Sequence, residues 1–259
     1  MPEMPEVEAV CRRLRLEAEG CLVSRARVLR AGMASGDVET ACSGARLERV
    51  ERRGKNIFLH FSGDVILHVH LRMTGNLYVV PDHRLLVSTV RAVFELSDGR
   101  GIVFEDPRAL GRMALLETLP ELGWEPLDPR FTVGVLAGLA KGSRREAKVF
   151  LMDQGKVAGL GNIYAAEALF RAGIDPRRAM GTLGKARLAR LHAAIVMVMS
   201  GAVESVYELY SKPGNFIEAE RQTLMVYGRE GEGCRVCGRA VLRVAQGGRS
   251  TYFCGFCQR

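Results

Sequence analysis

The chain has 259 residues, 47% of them hydrophobic and 25% charged. That balance belongs to a globular protein and excludes a largely disordered chain. With 37 Lys and Arg against 29 Asp and Glu, the formal net charge is +8. An anionic partner is implied, nucleic acid first, although charge governs association and solubility and not chemistry.

The opening residues, Met1-Pro2-Glu3-Met4-Pro5-Glu6, hold neither a basic nor an apolar segment, so no signal peptide is expected. The longest apolar run, Ala193–Met199, is far shorter than the ~20 residues that cross a bilayer. A cytoplasmic, non-membrane chain is therefore expected. Of seven cysteines, Cys11, Cys21 and Cys42 are scattered, whereas four fall within residues 234–259. An odd number with one tight cluster reads as a reduced chain with one metal site, not as a disulfide framework.

Residues 5–19 predict a helix. Pro5 suits the first turn, Glu6 and Glu8 suit the positive end of the dipole, and Gly20 suits the stop. Val7, Val10, Cys11 and Leu14 share one face. From 22 to 105 the pattern is β-like. Runs 46–52 and 56–61 flank Arg53-Gly54-Lys55, run 65–73 follows Gly63-Asp64, and runs 89–96 and 101–105 flank Ser97-Asp98-Gly99-Arg100. No long helical pattern separates these runs, so an antiparallel sandwich is favoured over a parallel sheet. Residues 117–143, with Pro120, Pro126, Pro129 and several glycines, read as a linker with room for a short helix. Helical patterns follow at 144–153, 163–172 and 183–209, and a second break falls at 228–233. The resulting division is 1–116, a linker at 117–143, then 144–229 and 230–259.

Cys234-x2-Cys237 and Cys254-x2-Cys257 are separated by 16 residues. Two such thiolate pairs match one tetrahedral zinc, and Gly247-Gly248 suits the turn of an intervening hairpin. Four protein thiolates leave no open coordination position, so one structural Zn2+ is expected. Upstream, Val157-Ala158-Gly159-Leu160-Gly161-Asn162 feeds a helix, with Asn162 as its N-cap. Such a start can bind a phosphate or simply cap the helix. The dinucleotide fingerprint fails, because Tyr164 stands at its third glycine.

Together these segments resemble the formamidopyrimidine-DNA glycosylase/endonuclease VIII family of base-excision repair enzymes. The matches lie in order along nearly the whole chain: Pro2-Glu3 with Pro5-Glu6-Val7-Glu8, Arg53-Gly54-Lys55, His70-Leu71-Arg72-Met73-Thr74-Gly75 and Asp106-Pro107-Arg108. They continue with Lys148, Leu151-Met152-Asp153-Gln154, the 157–164 segment, Val226-Tyr227-Gly228-Arg229 and the four-cysteine tail with Arg249-Ser250-Thr251. The resemblance implies an α+β fold: an N-terminal helix plus antiparallel β-sandwich, then a helix–two-turns–helix domain and a C-terminal zinc-ribbon hairpin with four cysteine ligands. Damaged double-stranded DNA would lie between the two halves of a monomer.

The resemblance also implies roles. Once Met1 is removed, Pro2 offers a secondary amine. An α-amino group has a reference pKa of about 7.7–8.0 against about 10.4 for Lys, so it is substantially neutral near physiological pH. A neutral amine can attack C1′ and form a Schiff base, which leads to base loss and β,δ-elimination. Glu3 is the implied acid/base, Glu6 its support, and Lys55 a phosphate contact that aids catalysis. Lys148, Asn162 and Arg249 match phosphate contacts. Met73 matches the residue that fills the vacated stack, and Arg108 the one that addresses the orphaned base. The family's guanine-lesion branch usually carries an aromatic wedge two residues after this arginine. Leu110 stands there instead, and an aliphatic side chain can also wedge. Met73, Arg108 and the Lys212–Phe216 segment favour 8-oxoguanine and formamidopyrimidine lesions. Leu110 motivates an alternative, the oxidised-pyrimidine branch. A non-catalytic zinc-ribbon DNA-binding protein would also fit the charge and the tail, but would need neither Pro2 nor Glu3. His68 and His70, at strand spacing, read as structural.

Overall fold

The computed structural model describes residues 2–210 and 224–259. The chain divides into two compact units, Met1–Pro120 and Glu121–Arg259.

The first unit opens with helix α1 (Met4–Ala18). Glu3 is its N-cap, Pro5 lies in its first turn, and Glu6 returns a carboxylate to the Glu3 N–H at 2.7 Å. This is one arm of a capping box and satisfies a donor that the helix start leaves open. The apolar face Val7, Val10, Cys11 and Leu14 is fully buried, as the periodicity requires.

Nine strands and a short helix follow: β1 (Val23–Val28), β2 (Ala34–Ser35), α2 (Val38–Cys42), β3 (Leu47–Arg53), β4 (Asn56–Phe61), β5 (Val65–His70), β6 (Asn76–Val80), β7 (Val90–Leu96), β8 (Gly101–Glu105) and β9 (Arg112–Leu116). They form a four-stranded sheet ordered β1-β7-β8-β6 and a five-stranded sheet ordered β2-β9-β5-β4-β3. All pairings are antiparallel except β2 with β9. The expected sandwich is therefore present. Phe61 of one sheet stacks on Phe94 of the other, with ring centroids 6.4 Å apart. Helix α1 packs on β3 and on β6, one edge strand of each sheet. It covers edges that would otherwise be open to pairing.

Three differences from the sequence reading have local causes. The 65–73 run ends as a strand at His70, where the Gly75 N–H closes a turn onto the Leu71 carbonyl and Arg72 takes a left-handed φ of 56°. The 144–153 run yields only α4 (Ala147–Leu151), because the chain turns through Asp153-Gln154-Gly155. The short helix allowed for in the 117–143 stretch is α3 (Val133–Ala140), capped by the Thr132 hydroxyl. Helix α5 (Asn162–Ala172) starts one residue early, with Gly161 rather than Asn162 as N-cap.

The second unit packs α3 and α5 against α6 (Lys185–Tyr210), and α4 against α5. By length and composition alone α6 could cross a membrane. In this fold it is a packing helix: Leu188, Leu191, Ala194, Ile195, Met199, Val203 and Val206 form one buried stripe. The tail is a hairpin of β10 (Leu242–Gln246) and β11 (Arg249–Phe253). Gly247 and Gly248 turn it with φ of 54° and 73°, both left-handed, as a two-residue hairpin turn demands.

Candidate active site and nucleic-acid interface

In the first unit, Glu3 is fully buried and Glu6 nearly so, whereas Pro2 is half-buried. Glu3, expected as the acid/base, and Glu6, expected as its support, thus sit at the N-terminus of α1, directly after the candidate nucleophile. Lys55 is half-buried in the β3–β4 turn. Arg52 ties that turn to α1. Its Nε donates to Glu8 Oε2 at 2.7 Å, and its Nη1 donates to the Gly54 carbonyl at 3.0 Å. Burial pushes the Glu8 carboxyl up, but Arg52 and Arg15 outweigh it and hold the group below the ordinary carboxylate range.

Two turns carry the residues expected to probe the helix stack. Met73 is 42% exposed in the 71–75 turn, and Leu110 is 39% exposed in the 106–111 turn, beside an exposed Arg108. Such exposure leaves all three available to a ligand. His70, read from the sequence as structural, borders this region. Its Nδ1 accepts the Arg72 N–H at 3.0 Å. Burial, then the charges of Arg72, His68 and Lys55, push its pKa down to about 4. The imidazole is therefore neutral near pH 7. His68 stacks on Phe58 and meets Asn56 Oδ1 at 2.9 Å, a structural setting.

In the second unit, the glycine loop is pinned by Gln154, whose amide donates to the Leu160 and Met152 carbonyls and accepts from the Gly159 N–H. Asn162, expected as the cap, is the first helical residue and lies buried. Its Nδ2 donates to the Ser250 carbonyl at 3.0 Å and to Tyr227 Oη at 3.3 Å. The side chain thus bridges the helix start to the zinc hairpin instead of capping its own helix. The N-cap residue of α5, Gly161, has no side chain of its own with which to cap the helix. Lys148, expected as a phosphate contact, is fully buried in α4, whereas Arg249 is exposed at the start of β11.

Glu167 was not singled out from sequence. Buried in α5, its carboxylate accepts the N–H groups of Met225, Val226 and Tyr227 at 2.8–2.9 Å. It anchors the backbone of residues 225–227 to α5. The Lys212–Phe216 segment lies outside the described residues.

The four tail cysteines converge, with all Sγ atoms within 4.8 Å of one another. A tetrahedral zinc with bonds near 2.3 Å needs sulfurs about 3.8 Å apart, and Cys234–Cys257 and Cys237–Cys254 lie at 3.9 and 3.5 Å. The donor set therefore fits one structural zinc ion. Around it Phe170, Val226 and Val241 form a small core. Gln258 joins the Cys254 N–H to the Ile174 carbonyl and so fastens the tail to the end of α5.

A carboxyl pair at a helix start behind a candidate amine, and a zinc hairpin joined to a glycine-led helix, define a nucleic-acid-processing enzyme with a structural zinc. Comparison with known proteins is specific. Residues 1–113 match the formamidopyrimidine-DNA glycosylase N-terminal domain, 122–210 the H2TH domain of the same proteins, and 231–259 the zinc finger found in FPG and IleRS. The formamidopyrimidine-DNA glycosylase of Ruegeria pomeroyi is 39% identical, aligned over the whole of both chains. The crystal structure of MutM (Fpg) from Thermus thermophilus superposes with a TM-score of 0.86 at 35% identity, covering 99% of this chain and 98% of that one. Lactococcus lactis Fpg in complex with DNA containing N7-benzyl-Fapy-dG gives 0.90 at 27% identity over the whole of both chains. The chain belongs to the formamidopyrimidine-DNA glycosylase family, and it is a DNA glycosylase with one structural zinc site.

Proposed function

We propose that the protein excises oxidised purines, of the 8-oxoguanine and formamidopyrimidine type, from duplex DNA and then cleaves the strand as an AP lyase. The observation that carries this reading is the buried Glu3 carboxyl immediately after Pro2, at the start of α1. After Met1 is removed, the neutral Pro2 nitrogen attacks C1′ of the everted nucleotide. The glycosidic bond breaks, its electron pair leaves with the base, and the base takes up the proton that the Pro2 nitrogen sheds after bonding to C1′. Glu3 donates a proton to the sugar ring oxygen as the ring opens. The resulting iminium acidifies C2′. Proton loss there expels the 3′ phosphate (β-elimination), and a second proton loss expels the 5′ phosphate (δ-elimination).

Lys55 contacts phosphate beside the lesion. The α5 N-terminus with Asn162, and Arg249, hold the backbone without reading bases. Lys148 adds buried positive charge to the same unit. Chemistry at C1′ requires the nucleotide to leave the stack. Met73 fills the gap, Arg108 addresses the orphaned base, and Leu110 takes the place of an aromatic wedge. The name of the family and the Fapy-dG complex of the Lactococcus lactis relative favour the purine branch over oxidised pyrimidines. Action on duplex DNA supports a location in the bacterial cytoplasm, at the nucleoid.

Pro2→Gly tests the assignment of the amine. Duplex binding stays within about twofold of wild type, and strand cleavage falls by at least about a hundredfold, the scale of losing a covalent catalyst. Unchanged cleavage by this variant would remove the nucleophile from Pro2.

A further inference from the structure

Asp106 is fully buried, yet the chemistry above gives it no task. Its carboxylate joins the two turns that carry the stack-probing residues. Oδ1 accepts the Thr74 hydroxyl from the 71–75 turn and the Arg108 N–H, at 3.2 Å, from its own turn. Oδ2 accepts the Gly111 N–H at 2.7 Å. The Asp106 main chain is held as well: its N–H donates to the Thr89 carbonyl, and its carbonyl accepts Arg91 Nε at 2.8 Å.

Both turns need such support. Each carries a non-glycine residue in the left-handed region next to its probing residue, Arg72 (φ 56°) before Met73 and Ala109 (φ 51°) after Arg108. A conformation of that kind costs free energy and persists only where surrounding contacts dictate it. Gly111 closes the second turn where a Cβ would come within 2.4 Å of the Phe104 ring, so the close approach there requires glycine.

We propose that Asp106, acting through Thr74, is a positioning residue that makes the Met73 turn and the Arg108–Leu110 turn one rigid body. Filling the vacated stack and addressing the orphaned base then occur as a single preorganised event, without a separate ordering cost for each turn. The inference rests on the roles proposed above for Met73 and Arg108.

Asp106→Asn leaves one oxygen where two accept, and so endangers the fold. Thr74→Val is the sharper test, because it removes only the link between the turns and nearly preserves shape. Single-turnover excision of 8-oxoguanine opposite cytosine in a duplex is measured beside AP-lyase cleavage of a single-stranded abasic oligonucleotide, which has no orphaned base. For Thr74→Val, duplex excision is expected to fall about tenfold, the scale of one lost hydrogen bond to a charged group. Single-strand cleavage stays at the wild-type rate, and Thr74→Ser restores duplex excision. Equal losses in both assays, or wild-type duplex excision by Thr74→Val while Met73→Ala is slow, would overturn the proposal. Wild-type duplex excision by both Met73→Ala and Arg108→Ala would instead remove the reading beneath it.

Discussion

In the first unit, the candidate residues sit on a two-sheet sandwich whose large side chains (Phe58, Phe61, Phe94 and Phe104) are almost completely buried. Their carboxylates are satisfied by backbone and arginine donors, as at Glu3–Glu6 and Glu8–Arg52. In the second unit, the exposed Arg249 stands on a two-stranded hairpin, too small a sheet to be stable alone. That hairpin is held by four thiolates, a small cluster around Phe170 and Val226, and the Asn162 and Gln258 bridges to α5. The contrast separates two kinds of dependence. Under the proposed assignments, the chemistry rests on the sandwich core, and part of the grip on DNA rests on a hairpin core built around the four-cysteine site.

The largest expected effect breaks the chemistry without touching the grip. Glu3→Gln keeps the size of the buried side chain and removes the transferable proton. Base release should slow by about a thousandfold, within the range for loss of a general acid, while affinity for a duplex carrying an abasic analogue stays near wild type. Single-turnover excision and equilibrium binding check the two halves of this prediction. A parallel fall in both would mean that Glu3 is there for the fold.

Metal removal should do the reverse. A structural zinc supplies folding free energy to its hairpin, so chelation should expose the tail after about residue 230 to protease. Duplex affinity should fall at least about tenfold, because phosphate contacts dominate binding. The melting of the sandwich should be unchanged. Retained affinity after verified metal loss would erase the contrast between the two units.

A smaller effect sharpens the account of the first unit. His70 has a pKa of about 4 in the folded chain against an ordinary 6.5. Between those values the unfolded chain binds the proton more readily, so folding stability falls as pH drops from about 6.5 to about 4. The stability that keeping the ring neutral confers is fully present above that window. Thermal melting across this range should show a shallower slope for His70→Asn than for wild type. Identical slopes would mean that another group sets the acid limit.

What the sequence made legible was local. Cys234, Cys237, Cys254 and Cys257 carry their metal in their spacing, and Pro5, Glu6 and the Val7–Leu14 face mark α1 within three turns. Strands β1, β6 and β9, like the two-residue β2, carry no marked run of their own, because stretches such as Val23–Val28, with Ser24, Arg25 and Arg27, alternate only weakly. They become strands by pairing with partners far along the chain: β1 with β7, β6 with β8, β9 with β5. The same rule hid part of the site. Asp106 meets Thr74 across 32 residues, and Glu167 meets Val226 across 59, in both cases to satisfy a buried carboxylate. No periodicity announces such a partner. Asn162 was misplaced for a related reason. Its type suits a cap, but the distant Ser250 carbonyl claims its amide and leaves the cap to Gly161.

The central claim is that the amine of Pro2 carries the reaction. The most direct test is borohydride trapping of Met1-processed protein on a duplex with 8-oxoguanine opposite cytosine, followed by mass mapping of the adduct. The account predicts a covalent adduct on the N-terminal peptide at Pro2, absent from Pro2→Gly. An adduct mapped to Lys55 or another lysine, or no adduct on this duplex, would contradict it.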